Sequence, residues 1–128
     1  PGLSNILATH MAKQGAKEIE VRCGGLPVNP EVNALGYKLV FSAAGLMSEY
    51  TGSVPVIREG KLEFVDALCE DEPFGGDLIA SPTSNNAPEV VQTLLDLGVE
   101  DYNYMTDMQD TGTSLEVSWP LVLLKKNW

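Results

Sequence analysis

The chain has 128 residues, of which 44% are hydrophobic and 20% charged, and its formal net charge is −10. That length suits one domain around one core, residues 1–128, and the acidic balance excludes phosphate backbones and anionic lipid as partners. The longest purely apolar run is four residues, Leu121 to Leu124, too short to span a bilayer. No basic stretch followed by an apolar one opens the chain, so no signal peptide is expected and a cytoplasmic location is the default.

Leu3, Ile6, Leu7 and Met11 recur at helical spacing, which predicts a first helix with those residues buried and Gly15 as its stop. Glu18 to Cys23 alternates, with Ile19, Val21 and Cys23 on one face, and predicts a half-buried strand. Gly24-Gly25 permits a sharp turn, and Pro27 to Ala34 reads as a loop. Tyr37 to Ser42 reads as a second strand, with Ser42 capping a short helix from Ala43 to Tyr50. Val54 to Arg58 and Lys61 to Val65 flank Glu59-Gly60, a hairpin signal in which glycine supplies the positive φ. Glu70 to Gly76 is expected to be an acidic loop, Leu78 to Ser81 a short strand and Pro82 to Asn86 a turn. Pro88 and Glu89 suit a helix start, with Val90, Val91, Leu94, Leu95 and Leu97 buried and Gly98 closing it. Asp101 to Met105 and, more weakly, Ser114 to Val117 read as strands. Pro120 to Asn127 is open between strand and helix, and Ser118 followed by Pro120 tilts it to a terminal helix. Hairpins in place of regular βαβ crossovers predict an α+β fold, its sheet mixed but largely antiparallel with helices on one face.

From Leu62 to Leu124 there is no Lys or Arg but there are thirteen acids. This is either a solubilising excess or a surface that attracts amines or a basic partner. Cys23 and Cys69 lie in no C-x-x-C pattern and read as thiols rather than a disulfide. His10, the only histidine, has no partner suggested by spacing and reads as a flanking residue of the first helix. No metal-ligand spacing occurs, so no metal is expected. Neither G-x-G-x-x-G nor the P-loop lysine is present, so no nucleotide-phosphate cradle is expected in this chain. Two stretches read as binding surface. Cys23 to Pro27 bares backbone N–H groups without side chains, which lets a ligand approach or simply makes a tight turn. Glu49, Tyr50 and Thr51 cluster at a helix end, where Glu49 can bind an amine or be solvated and Tyr50 can be core.

In order along the chain, Arg22 to Pro27 (R-C-G-G-L-P), Leu35 to Lys38 (L-G-Y-K), Ser42 to Leu46 (S-A-A-G-L) and Glu49 to Thr51 (E-Y-T) resemble the saccharopine dehydrogenase-like oxidoreductases. The branch that looks most similar holds saccharopine reductases and lysine 6-dehydrogenases. Val56 to Leu62 and Phe74 to Ser84 extend the likeness, and Pro1 to Asn5 looks like the junction that leaves the family's Rossmann domain. The resemblance implies a two-domain NAD- or NADP-dependent enzyme acting on the C–N bond of an amino acid. This chain would be its substrate-binding and dimerisation domain, inert alone, with no bound cofactor and no Rossmann fold of its own. The partners implied are that Rossmann domain, a second copy in a homodimer, and an amino-acid substrate. By position, Gly24, Gly25 and Leu26 would line the substrate side, with Tyr37, Lys38, Glu49 and Tyr50 nearby, and Asn5 would approach the nicotinamide. The resemblance also predicts a basic-aromatic stretch like R-Y-P-G-H after Tyr102. Tyr104 to Gly112 instead reads Y-M-T-D-M-Q-D-T-G, without Arg or His, which leaves Arg22, Arg58 or Lys38 as the anchor for a substrate carboxylate. Two alternatives stay open: an interaction module whose site has decayed, and a small-molecule binding domain unrelated to redox chemistry.

Overall fold

A computed structural model describes residues 2–23, 43–75, 78–83, 87–109 and 123–127. In chain order they form α1 (Gly2–Lys13), β1 (Glu18–Cys23), α2 (Ala43–Glu49), β2 (Ser53–Arg58), β3 (Lys61–Asp66), β4 (Glu72–Gly75), β5 (Leu78–Pro82), α3 (Pro88–Asp96), β6 (Asp101–Gln109) and β7 (Leu123–Asn127). The seven strands share one sheet, in the order β3-β2-β6-β1-β7. The outer half of β6 pairs with β5, and β5 with β4. Among these strands only β1 and β6 run parallel, with Ile19 opposite Tyr102 and Val21 opposite Tyr104. The other pairs are antiparallel. The fold is therefore α+β, with a mixed and mostly antiparallel sheet. No helix among the described residues is long and apolar enough to cross a membrane.

Alternation along the strands sorts the side chains onto two faces. Ile19, Val21, Ile57, Tyr102 and Tyr104 point to the face covered by α1 and α3, where they pack with Ala8, Ala12, Ala16, Val91, Leu94 and Val99. Each fully buried Val, Leu or Ile there contributes about 1.5–3 kcal/mol. The connections at one end of this layer are tight. Gly15 takes φ 90° between α1 and β1, and the Ala16 N–H donates to the Met11 carbonyl at 3.1 Å. Lys17 donates through Nζ to the Gly98 carbonyl at 3.0 Å and pairs with Glu100 at 3.1 Å, joining the start of β1 to the start of β6. The β2–β3 hairpin turns at Glu59 (φ 50°) and Gly60 (φ 71°), the two left-handed residues that a two-residue turn matched to strand twist requires.

Three expectations are corrected. Leu3 and Ile6 do not form the buried stripe of α1: they are 65% and 68% exposed, while Ser4, Ala8 and Ala12 face inward. Tyr102 and Tyr104 share the core beneath, and the helix seats on it through small side chains at i, i+4 and i+8, with Met11 packed beside them. The acidic stretch before Gly76 is not all loop, because Glu72–Gly75 pairs with β5 as β4. Residues 123–127 form strand β7, not a terminal helix. They add to the free edge of β1, with Leu124 opposite Val21, and pairing with an existing edge outweighs weak local preference. The strands expected at Tyr37 to Ser42 and Ser114 to Val117 lie outside the described residues.

Candidate functional site

β1 ends at Cys23, opposite Thr106 of the parallel strand β6, which runs on to Gln109 against β5. The short connection from α1 to β1 makes the helix run back along the strand, so the first turn of α1 lies over the end of β1. Tyr104 ties the parts together: its hydroxyl hydrogen-bonds with both Ser4 of α1 and Cys23 of β1. Burial, then the nearby Cys23, pushes the Tyr104 phenol well above its usual range, while the Ser4 bond opposes that shift. The group therefore stays protonated and serves as a neutral bridge. Next to it Thr106 lies opposite Cys23, and its Oγ1 is 2.8 Å from Oγ1 of the fully buried Thr83. Ser81 hydrogen-bonds Asp71 from the adjoining strand.

Arg22 precedes Cys23 and so points to the opposite face of the sheet. Its Nε donates to Glu72 Oε1 at 2.7 Å, its Nη2 donates to the same oxygen, and its Nη1 donates to Glu20 Oε2 at 3.0 Å. Since Glu72 stands on β4, the side chain reaches across β6 and β5. Desolvation opposes the guanidinium charge, but the bonds to Glu72 and Glu20 outweigh it and raise the Arg22 pKa. The residue expected to anchor a substrate carboxylate thus already holds two carboxylates of its own chain. Arg58, another candidate anchor, is likewise paired, with Glu70 at 2.6 Å.

Asn5 lies on the helix-covered side, on α1. It lines an open groove of about 420 Å³ between α1 and α3, with Ile6, Thr9, His10, Lys13, Val90 and Thr93. Asn5 Oδ1 is buried and accepts no hydrogen bond. His10 shares a 2.9 Å hydrogen bond with Gln14. Asn5 and Arg22, assigned from sequence to one site, therefore stand on opposite sides of the sheet. Tyr50 follows α2 and is half-buried, and Glu49 is the last residue of that helix. Gly24, Gly25, Leu26, Tyr37 and Lys38 lie outside the described residues. Sequence reasoning missed Ser4, Glu72, Thr83, Tyr104 and Thr106 as parts of this end. The one available signal was the Tyr102-x-Tyr104 spacing, which places a second phenol on the face of the first. Cys23 and Cys69 are free thiols. Among the described residues no group of three or more His, Cys, Asp or Glu is placed to hold a metal ion.

Comparison with proteins of known structure finds a similar fold in the apo, histidine-tagged saccharopine dehydrogenase (L-Glu forming) of Saccharomyces cerevisiae. The match has a TM-score of 0.63 at 21% identity and covers 87% of this chain. The chain spans only 28% of the length of that enzyme. The family model described as the saccharopine dehydrogenase C-terminal domain matches residues 1–99, a stretch that holds every element from α1 through α3. The chain belongs to the saccharopine dehydrogenase C-terminal domain family.

Proposed function

We propose that this chain is the substrate-binding and dimerisation domain of a larger NAD- or NADP-dependent oxidoreductase acting on the C–N bond of an amino acid. The observation that carries this reading is the family match over residues 1–99, within which the first turn of α1 and the end of β1 come together as Ser4 and Cys23 at Tyr104. Side-chain-free backbone leaving a strand lets a substrate lie close to N–H donors. Amino acids carry a cation and an anion, and Glu49, Tyr50, Tyr37 and Lys38 supply chemistry for both. Among the described residues no glycine-rich strand–turn–helix cradles a pyrophosphate, so the residues here do not fit a whole dinucleotide. Asn5 is the one group assigned toward it, and the rest of the cofactor site belongs to the Rossmann domain of the complete polypeptide.

A second reading, a dimerisation module without catalysis, is favoured by one feature: the Arg22 guanidinium is taken up by Glu72 and Glu20. The two readings separate in an assay of the complete polypeptide with NAD(P)H, ammonia or amino acids, and 2-oxo acids. Amino-acid-dependent turnover that falls in the Lys38→Ala and Glu49→Gln variants supports the first reading. Cofactor binding without any turnover on amino acids supports the second. This chain by itself is expected to oxidise no amino acid, and NADH turnover by it alone would overturn the division of labour proposed.

A further inference from the structure

We infer that residues 68–72 are a strap closed over Arg22, whose guanidinium Glu72 holds in the place that a ligand carboxylate takes when the strap opens. The inference rests on the reading above only for taking that ligand to be the amino-acid substrate. The strap itself follows from side-chain ties and backbone conformation within this chain.

The chain has two arginines, Arg22 and Arg58, and both are committed to one short segment. Where the chain passes from β3 into β4, three acids follow one another, Glu70, Asp71 and Glu72, and a different strand holds each. Glu70 pairs with Arg58 of β2 at 2.6 Å, Asp71 accepts from Ser81 of β5, and Glu72 accepts from Arg22 of β1. Acids that served solubility alone would be left in water. The backbone does not favour this course. Leu68 and Glu70 take left-handed conformations, φ 62° and φ 54°, which cost conformational energy in residues with a Cβ. The segment is therefore held shut by its ties against its own local preference.

Those ties are of a kind that exchanges. The Arg58 and Glu70 side chains are 37% and 53% exposed, and an ion pair so open to water contributes little. Glu72 is 38% exposed, whereas Arg22 is only 17% exposed and is the partner that suffers when left unpaired. Opening thus calls for a second carboxylate at Arg22. Its Nε and Nη2 both donate to Glu72 Oε1, so the two-oxygen fork that suits a guanidinium best is not formed. A ligand carboxylate, free of the strap, can form that fork. Glu20, which accepts from Nη1 at 3.0 Å, stands beside it and suits the ammonium group of the same amino acid.

The test is modification of arginine by phenylglyoxal in the complete polypeptide, followed peptide by peptide by mass spectrometry. It needs neither cofactor nor turnover. Glu72→Ala is expected to raise the rate at Arg22 about tenfold, the scale of a lost charge-assisted hydrogen bond. Arg58→Gln breaks the far tie and leaves the residues around Arg22 in place. It is expected to raise the Arg22 rate about threefold, as suits a more exposed pair. Leu68→Gly relieves one left-handed residue, keeps all three ties, and is expected to lower the rate. In Glu72→Ala, propionate, which carries the carboxylate of the lost side chain, is expected to slow the reaction at Arg22 saturably beyond sodium chloride of equal ionic strength. An Arg22 rate that ignores both Arg58→Gln and Leu68→Gly would overturn the strap and leave a local ion pair. A rate in Glu72→Ala that propionate does not move beyond the salt control would overturn the carboxylate site. Both responses in a polypeptide without amino-acid turnover would support the strap and defeat the oxidoreductase reading alone.

Discussion

Helices α1 and α3 cover the same face of the same sheet and meet it in opposite ways. In α3 the large residues go inward: Val91 and Leu94 are fully buried, and the exposed face carries Glu89, Gln92, Thr93 and Asp96. In α1 the small residues go inward, Ser4, Ala8 and Ala12, and two of its largest aliphatic side chains go outward. The difference follows from what lies beneath. Next to α1, Tyr104 bonds to Ser4, and Tyr102 and Tyr104 share the core with Ala8 and Ala12. A helix therefore shows its period in the sequence, while the sheet under it decides which stripe turns inward.

The largest expected effect lies on α3. Leu94→Ala should lower the free energy of unfolding by about 2–5 kcal/mol in a urea titration, because it opens a cavity in a fully buried site. A loss as small as that of a surface change would show that α3 is not part of the core. The mirror experiment on α1 adds volume instead of removing it. Ala8→Leu should destabilise by about 1–3 kcal/mol through overpacking against the sheet. If Ala8→Leu is neutral or stabilising, α1 does not lie as close to the sheet as its small residues imply.

Tyr104→Phe tests the bridge that separates the two helices' packing. Losing the hydroxyl while keeping the ring should cost about 1 kcal/mol, the size of a typical buried hydrogen bond. The pH dependence has a definite sign. The folded-state pKa of Tyr104 lies above its unfolded value of about 10, so the folded state holds the proton more tightly. Its contribution is complete below about pH 10 and is lost as pH climbs from there toward the folded value. Denaturant titrations above that pH should show stability falling in the parent protein and a shallower fall in Tyr104→Phe. Identical slopes would mean that the phenol is not desolvated.

The smallest effect is expected on the outside of α1. Ile6→Ser in this chain should change stability by no more than about 0.5 kcal/mol, since the side chain is mostly in water. A loss comparable to that of Leu94→Ala would reverse the assignment of the two faces of α1.

Much of the local structure was legible because it rests on local chemistry. The alternation of Glu18–Cys23 fits a half-buried strand and nothing else. Glu59-Gly60 between two β-rich runs has the conformational freedom a tight hairpin needs, and Pro88 with Glu89 marks a helix start. Residues 72–75 and 123–127 were misread because neither has a strong preference of its own: each is a strand by virtue of an edge offered by β5 or β1. The candidate site divided in the same way. Arg22 and Asn5 were visible as side chains with useful chemistry, and the family resemblance placed them together. Their separation by the sheet, the capture of Arg22 by Glu72 fifty residues away, and the Ser4–Tyr104–Cys23 bridge depend on contacts between distant segments.

The sequence by itself determined an acidic α+β chain, the positions of its helices and hairpin, and a pattern of residues shared with the saccharopine dehydrogenase family. Propensity, turn stereochemistry and short-range periodicity act over a few residues, and so they are written in order along the chain. Only the tertiary structure decided that β1 lies parallel to β6, that the end of β1 meets the first turn of α1 at Tyr104, and that Leu3 and Ile6 face away from the core. Those outcomes come from volume and pairing across the sheet, where Tyr102 and Tyr104 compete with α1 for the same space, and no window of the chain contains both competitors.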